Sequence, residues 1–122
     1  MTYYSIGQFS AITQMSIDTL RYYEKEKLIC VQRNAARRRI YTENDVAWVA
    51  FIRRLKETGM LIKDIRRYAE LRYLGEATME ERLGMLELHR DYVLQEKKRW
   101  EANLAHLEDK IKTYQSRIRE KP

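Results

Sequence analysis

The stretch MSIDTLRYYEKEKLI, residues 15–29, decides the fold because it sets two different kinds of side chain around one short helix. Ser16 is a favoured N-cap residue, and the helix that it opens is predicted to run from about Ile17 to Glu26. At 100° per residue, Ile17, Leu20 and Tyr23 fall within one arc and are predicted to face a core. The opposite face is polar, aromatic and basic, so one side of the helix packs and the other is free to bind.

The outward face of this helix carries side chains that suit DNA. Asp18, Tyr22 and Lys25 lie opposite the apolar arc. Thr19 and Arg21 flank it. Such a face can donate hydrogen bonds, lay an aromatic edge against a sugar or a thymine methyl group, and neutralise phosphate, whereas a solvated face more often carries Glu, Lys and Gln. The predicted DNA contacts on this helix are Ser16, Asp18, Thr19, Arg21, Tyr22 and Lys25.

A second short helix precedes this one. Ser5, followed three residues later by Gln8, forms a capping box, and apolar residues follow at helical spacing. Because Ser16 offers the next N-cap, only residues 13–15 separate the two helices. Helix, three-residue turn and helix is the helix-turn-helix arrangement, and an ordinary helical hairpin is the alternative.

The stretch CVQRNAARRRIYT, residues 30–42, contains four arginines and no acidic residue. Val31 and the pair 40–41 are strand formers, and Asn34 begins the segment between them. The pattern predicts a short two-stranded hairpin, or wing. Because clustered like charges repel, these arginines favour a phosphate partner, although a solvated basic loop is the alternative. The predicted DNA contacts in the wing are Arg33, Arg37, Arg38 and Arg39.

Composition bounds the class of protein. The 122 residues are 44% hydrophobic, which is enough for one domain with a modest core. The net charge is +6, and residues 1–77 hold 14 basic against 9 acidic side chains, so a polyanion-binding surface is predicted there.

The sequence has no nucleophile–base pair, metal-ligand cluster or phosphate-binding glycine loop, so we predict no enzymatic activity, cofactor or metal. It has neither a signal peptide nor a membrane-spanning apolar run, so a cytoplasmic protein is predicted.

Two further helices and a long C-terminal helix complete the chain. Thr42 with Asp45 caps the third helix, and Gly59 stands at the usual place of a left-handed residue after a helix end. After the fourth helix the chain breaks, so we predict a DNA-binding domain over 1–75 and a dimerisation helix over 76–122. The apolar face predicted for the third helix is Val46, Val49, Phe51, Ile52 and Leu55.

The C-terminal helix keeps heptad spacing from residue 79 over about 40 residues. Ten of its twelve a and d positions are apolar, the exceptions being Arg90 and Lys97. The rest of the chain is too small to cover a stripe about 60 Å long, so a second copy of the chain is the predicted partner. The predicted dimer contacts are Leu83, Leu86, Val93, Trp100, Leu104, Leu107, Ile111, Tyr114 and Ile118.

The order of these motifs resembles the MerR family of transcriptional regulators. The pattern runs through YSIGQFS, SIDTLRYYEKEKLI and RRRIYTENDVAWVAFIRRLKETGMLIKDIRRYAEL, and its distinctive combination is LRYYE with the later Arg39-x-Tyr41. The resemblance implies a mainly α fold, with a winged helix-turn-helix head and a long helix that forms an antiparallel coiled-coil homodimer. It implies that the dimer bends and untwists the overlong spacer of double-stranded promoter DNA, so that RNA polymerase engages both promoter elements. It also implies phosphate or sugar contacts for Arg21, Tyr22, Arg39 and Tyr41.

Departures from the family pattern fall at turns and caps. Lys27 stands where members often have Gly, and Val31 stands where they have Pro. The wing reads Arg37-Arg38-Arg39 where Gly-Tyr-Arg is common, which adds charge but removes the turn glycine and an aromatic contact. Leu61 replaces the usual Ser cap of the fourth helix.

The sensing chemistry is the least defined part of the sequence. Residues 51–72 resemble those of short members that respond to aldehyde, nitrosative or other electrophile stress, but Arg54 stands in place of their cysteine. A stress response with an unknown inducer is the expectation. Cys30 lies between the recognition helix and the wing, and we hypothesise a redox switch there, with packing as a small half-buried residue as the alternative.

Two rival functions remain open from the sequence. A nonspecific architectural DNA-binding protein needs only the charged wing and an ability to bend DNA, and footprinting distinguishes it from a sequence-specific regulator. A coiled-coil adaptor whose basic head binds no DNA would fail to bind any duplex at any salt concentration.

Overall fold

The computed structural model describes residues 2–122, which form five α-helices and one small sheet. The two strands pair antiparallel, with Gln32 opposite Ile40 and Arg33 opposite Arg39. The predicted mainly helical head, with a two-stranded wing and a long last helix, is confirmed. In chain order the elements are α1 (Ile6–Thr13), α2 (Ile17–Lys25), β1 (Gln32–Arg33), β2 (Arg39–Ile40), α3 (Glu43–Glu57), α4 (Ile62–Leu74), a short 3₁₀ turn (Glu76–Thr78) and α5 (Met79–Glu120).

The chain divides into two compact units, and α5 contributes residues to both. The first unit ends at Met85, and the second is Leu86–Pro122. The first unit therefore continues past residue 75, where the sequence analysis ended the head, and includes the first turns of α5.

Local capping fixes the helix-turn-helix. The Ser5 hydroxyl accepts from the Gln8 N–H, and the Gln8 side chain accepts from the Ser5 N–H, which completes the predicted capping box. Ser16 caps α2 by accepting from the Thr19 N–H at 3.0 Å. The turn between the two helices spans residues 14–16, one position later than predicted.

The core of the first unit joins the helix-turn-helix to the wing. Leu20 and Tyr23 of α2 are buried as predicted, whereas Ile17 is half-buried. Phe9 of α1 stacks on Tyr41, with ring centroids 4.2 Å apart and planes 8° apart. Because Tyr41 follows β2 directly, this stack attaches the base of the wing to α1.

Trp48 is the aromatic centre of α3, although it lies outside the apolar face predicted for this helix. Its side chain is 4% exposed and stacks on Tyr68 of α4 with ring centroids 5.8 Å apart. The indole N–H donates to the Leu28 carbonyl at 2.9 Å, which anchors the loop that follows α2. Val46 and Phe51, which were predicted for the core face, are only half-buried because the buried arc is centred nearer Trp48.

Helices α2 and α3 end in the same hydrogen-bonded motif with different residues at its left-handed position. At the end of α2, the Leu28 N–H donates to the Tyr23 carbonyl and the Lys27 N–H donates to the Glu24 carbonyl. Equivalent bonds end α3 around Gly59, so both are Schellman motifs. Gly59 has φ 94°, as expected for glycine, and Lys27 has φ 62° without being glycine.

Lys27→Gly is expected to raise the free energy of unfolding by about 0.5–1 kcal/mol, because an L side chain is strained in the left-handed region. Lys27→Ala is the matched control, since it removes the same charge and keeps the strain. Gly59→Ala is expected to lower the free energy of unfolding by about 1–2 kcal/mol for the converse reason. Urea denaturation at one fixed protein concentration measures all three variants. Equal stability of Lys27→Gly and Lys27→Ala would contradict the strain at this position.

The second unit consists of α5 from Leu86 onwards, and most of its large apolar side chains are exposed. Within the described chain no residue of α5 is buried. No helix within residues 2–122 combines the length and apolar character that crossing a membrane requires. Two of the predicted dimer contacts, Leu86 and Val93, are half-buried. The others are exposed, namely Leu83, Trp100, Leu104, Leu107, Ile111, Tyr114 and Ile118.

Candidate DNA-binding surface

The N-terminal end of α2 presents hydroxyl and carboxylate groups. The Ser16 hydroxyl, besides capping the helix, donates to Thr19 Oγ1 at 2.8 Å. The Asp18 side chain is 97% exposed and lies 3.9 Å from the Arg21 guanidinium group. Because a carboxylate repels phosphate, Asp18 suits a base amino group better than the DNA backbone.

The middle of α2 presents an aromatic ring among cations. Arg21, Tyr22 and Lys25 are all exposed. Lys56 of α3 reaches the same region, with Nζ 5.8 Å from the centre of the Tyr22 ring and 5.2 Å from that of Tyr23. Lys56 could not be identified from the sequence because it is distant from α2 in the chain and only tertiary packing brings the two together.

The tip of the wing is a tight turn organised by Asn34. The Asn34 N–H donates to the Arg38 carbonyl at 3.0 Å. The Asn34 side-chain oxygen accepts from the N–H groups of Ala36 and Arg38 at 2.9 and 3.1 Å. Arg37 has φ 62°, at the position where members of the resembling family commonly have Gly. The hairpin therefore forms without that glycine, and Arg37 carries the strain.

One carboxylate of α2 contacts both strands of the wing. Glu24 Oε1 accepts from Arg39 Nε at 2.7 Å, and Glu24 Oε2 lies 3.3 Å from Arg33 Nη2. The salt bridges within residues 2–122 give Arg37 and Arg38 no acidic partner, and both are exposed. The four wing arginines that were predicted to contact DNA thus divide into two that contact Glu24 and two that face solvent.

Tyr41 is buried, so its expected contact with phosphate or sugar is wrong. Its side chain is 1% exposed and its ring stacks on Phe9. Its hydroxyl has no hydrogen-bond partner within the described part of the chain. Burial raises the pKa of the Tyr41 phenol, an effect that Arg39 opposes and Glu24 reinforces. The position of Tyr41 in the motif therefore reflects packing of the wing on α1.

Tyr41→Phe is expected to leave DNA affinity unchanged and to keep or raise stability by up to about 1 kcal/mol, because it removes a buried hydroxyl that lacks a partner. Folding raises the pKa of this phenol, so its contribution to stability is full below about pH 10 and is lost as the pH rises further. The variant should therefore lose less stability than the wild type in alkaline solution. Urea denaturation against pH and a DNA titration measure both effects. A tenfold fall in DNA affinity, worth about 1.4 kcal/mol, would show that the Tyr41 hydroxyl contacts DNA after all.

Two contacts from α4 fix the loop between α2 and the wing. Arg66 donates through Nε to the Glu26 carbonyl at 3.0 Å, and its guanidinium group pairs with the Glu26 carboxylate. The Tyr73 hydroxyl accepts from the Cys30 N–H at 3.0 Å, and burial raises the pKa of Tyr73. The Cys30 side chain is exposed, so the half-buried packing role considered for it is wrong, whereas the redox role stays a hypothesis.

We refer to these groups together as the reading surface. It offers hydroxyl, aromatic, ammonium and guanidinium groups, which are donors and contact groups suited to phosphates and base edges. Within residues 2–122, no group of three or more His, Cys, Asp and Glu side chains is arranged to hold a metal ion. The reading surface comprises Ser16, Asp18, Thr19, Arg21, Tyr22, Lys25, Arg37, Arg38 and Lys56.

Comparison with known proteins places this surface in context. An HTH-type transcriptional regulator of Haemophilus influenzae is 43% identical over 74 residues, which are 60% of this chain and 55% of that protein, so the chain spans about half of its length. The Bacillus subtilis HTH-type transcriptional regulator YyaN is 31% identical over 133 residues, covering 98% of this chain and 96% of YyaN.

Structural comparison and the family match agree with these relatives. The crystal structure of HiNmlR, a MerR family regulator lacking the sensor domain and bound to promoter DNA, matches with a TM-score of 0.87 and 33% identity, over 98% of this chain and 95% of that one. Residues 4–71 match the MerR HTH family of regulatory proteins. That segment contains α1, α2, the wing, α3 and most of α4. The chain belongs to the MerR family of helix-turn-helix transcriptional regulators, which are not enzymes.

Proposed function

We propose that this chain binds double-stranded promoter DNA as a homodimer and controls RNA polymerase by bending and untwisting the spacer between the promoter elements. The observation that carries the proposal is the reading surface, on which exposed groups from α2, α3 and the wing lie in one compact unit. HiNmlR, which was solved bound to promoter DNA, supports the choice of ligand.

The parts of the reading surface have different roles in this proposal. The N-terminal end of α2 enters the major groove, where Asp18 and Thr19 reach base edges. Arg21, Lys25 and Lys56 bind phosphates on either side of that groove. The wing tip binds phosphates of the adjacent backbone, which fixes the register of the head without reading sequence.

Dimerisation supplies the second head. The apolar a and d side chains of α5 are exposed in one chain, and a stripe of this kind is stable in water when a partner helix covers it. We propose that residues 76–122 form an antiparallel coiled coil with a second copy and that residues 1–75 bind DNA. Two heads held at a fixed separation offset the cost of deforming the spacer, which is of order 1–6 kcal/mol for a bend of tens of degrees.

The cellular setting follows from the same proposal. A regulator of promoters in a chain with a single cysteine acts in the reducing cytoplasm. The resemblance of residues 51–72 to stress-responsive members favours a stress response, with an inducer that binding studies must identify.

Selection of genomic fragments followed by footprinting and transcription in vitro tests the proposed function. We expect two protected half-sites with a distorted spacer between them, and a change in transcript level from the same promoter when the protein is added. Equal protection of random duplexes would instead identify a nonspecific architectural DNA-binding protein. The exposed, unpaired Arg37 and Arg38 are the observation that supports this alternative. Failure to bind any duplex at low salt would identify an adaptor.

A further inference from the structure

We propose that Glu24 is a positioning residue that determines DNA specificity by holding the wing at a fixed angle to α2. The inference rests on the proposed DNA-binding function and adds a role that Glu24 performs without touching DNA. It assigns Arg33 and Arg39 to the same structural cluster and leaves phosphate binding in the wing to Arg37 and Arg38.

The geometry of the Glu24 carboxylate supports this role. Its two oxygens are used separately, Oε1 by Arg39 on β2 and Oε2 by Arg33 on β1. Arg33 and Arg39 are directly opposite in the ladder. Each strand has two residues, so the hairpin has little backbone pairing of its own to fix its orientation. A carboxylate that contacts both strands therefore restrains the hairpin as a unit.

The surroundings of the cluster strengthen the restraint. The side chains of Glu24 and Arg39 are 24% and 25% exposed, so solvent screens their salt bridge less than it screens a fully exposed pair. Arg33 also donates through Nη1 to the Arg37 carbonyl at 3.3 Å, which extends the cluster to the turn at the wing tip. An angle set at Glu24 is therefore transmitted to the two solvent-facing arginines.

Charge provides a readout that separates positioning from phosphate binding. Each arginine that binds a phosphate releases counterions and adds about 0.9 to the slope of log affinity against log salt. Because each substitution is present in both heads of the proposed dimer, we expect Arg37→Gln and Arg38→Gln each to lower this slope by about 1.8 for operator and random DNA alike. We expect Arg39→Gln to change the slope by much less, because Arg39 is committed to Glu24, and to lower the ratio of operator to random affinity.

Glu24→Gln is the decisive variant. It frees Arg33 and Arg39 and removes a negative charge, so we expect higher affinity for a random duplex and a steeper salt slope. The wing is no longer held in register with α2, so the ratio of operator to random affinity should fall about tenfold, the effect of losing one specific contact. In the double variant Glu24→Gln/Arg39→Gln, the ratio of operator to random affinity should be no lower than in Glu24→Gln alone. The reason is that the two residues act as one unit.

Glu26→Gln is the matched control. Glu26 lies immediately after the same helix and pairs with Arg66 of α4 instead of the wing, so its loss changes the net charge equally. We expect the ratio of operator to random affinity to stay at the wild-type value in Glu26→Gln. Filter-binding titrations at several salt concentrations measure both quantities, and circular dichroism checks that each variant is folded.

The outcomes distinguish this inference from the proposed function. A wild-type protein that does not discriminate operator from random DNA would contradict the proposed function. If the wild type discriminates and Glu24→Gln retains the ratio, or Glu26→Gln lowers it equally, the positioning role is wrong while the function stands. Should Glu24→Gln not fold, Arg39→Gln tests the same pair from the other side, and an unchanged ratio there overturns the inference.

Discussion

The double variant Leu104→Glu/Leu107→Glu is expected to be a monomer in solution and to bind operator DNA at least a hundredfold more weakly than the wild type. The two positions are adjacent a and d sites of the heptad pattern, and each side chain is more than half exposed in one chain. In a dimer they would face the partner helix, so carboxylates there would be desolvated within an otherwise mostly apolar seam. A monomer loses the effective concentration that two linked heads provide, which is typically worth about 10²–10⁴ in affinity.

The matched control for this variant is Ala102→Glu/Ala105→Glu. It adds the same two charges to the same part of α5, at f and b positions outside the seam, and both alanines are exposed. Analytical ultracentrifugation and gel-shift titration measure the two expected effects. A dimer of normal affinity in the Leu104/Leu107 variant would show that another surface joins the two copies, and a monomer in the alanine control would show that charge alone separates them.

Trp48→Ala is expected to lower the free energy of unfolding by about 3–5 kcal/mol, because it deletes the largest aromatic side chain of the core and leaves a cavity. The ring contacts Tyr68 of α4, and the Arg72 guanidinium lies 4.3 Å from its centre. Its indole N–H also satisfies the Leu28 carbonyl in the loop after α2. The change should therefore destabilise both the packing of α3 on α4 and the loop that leads to the wing.

Trp48→Phe separates the two contributions. It keeps an aromatic ring but leaves the Leu28 carbonyl without its donor, which typically costs about 1–3 kcal/mol. Urea denaturation of all three proteins at one concentration is the measurement, since the stability of a dimer depends on protomer concentration. Equal stability of Trp48→Phe and the wild type would contradict the importance of the Leu28 hydrogen bond, and a loss below about 1 kcal/mol in Trp48→Ala would contradict the buried position of the ring.

Features that depend on neighbouring residues in the chain were predictable. Capping at Ser5, Ser16 and Thr42 follows from side chains that bond within three residues of themselves, so the starts of α1, α2 and α3 could be located. The heptad pattern of α5 is also a local regularity. A partner helix would have to come from a second chain, so the dimer stays a prediction.

Features that depend on distant contacts were missed. Tyr41 occupies a motif position that implied DNA contact, but its stack on Phe9 joins residues far apart in the chain. Lys56 joins the reading surface only because its side chain reaches the Tyr22 and Tyr23 rings of α2. The wing arginines looked equivalent in sequence, and their division depends on which of them the Glu24 carboxylate reaches.

Lys27 and Arg37 each combine a strained left-handed backbone conformation with a positive charge. Glycine would fit both backbone positions with less strain, yet the chain keeps a cation at each. Together the two side chains lower the free energy of unfolding by about 1–2 kcal/mol. In return they add two positive charges that attract a polyanion. Glycine at both sites should therefore raise the free energy of unfolding, and the loss of two cations should make DNA binding weaken at a lower salt concentration.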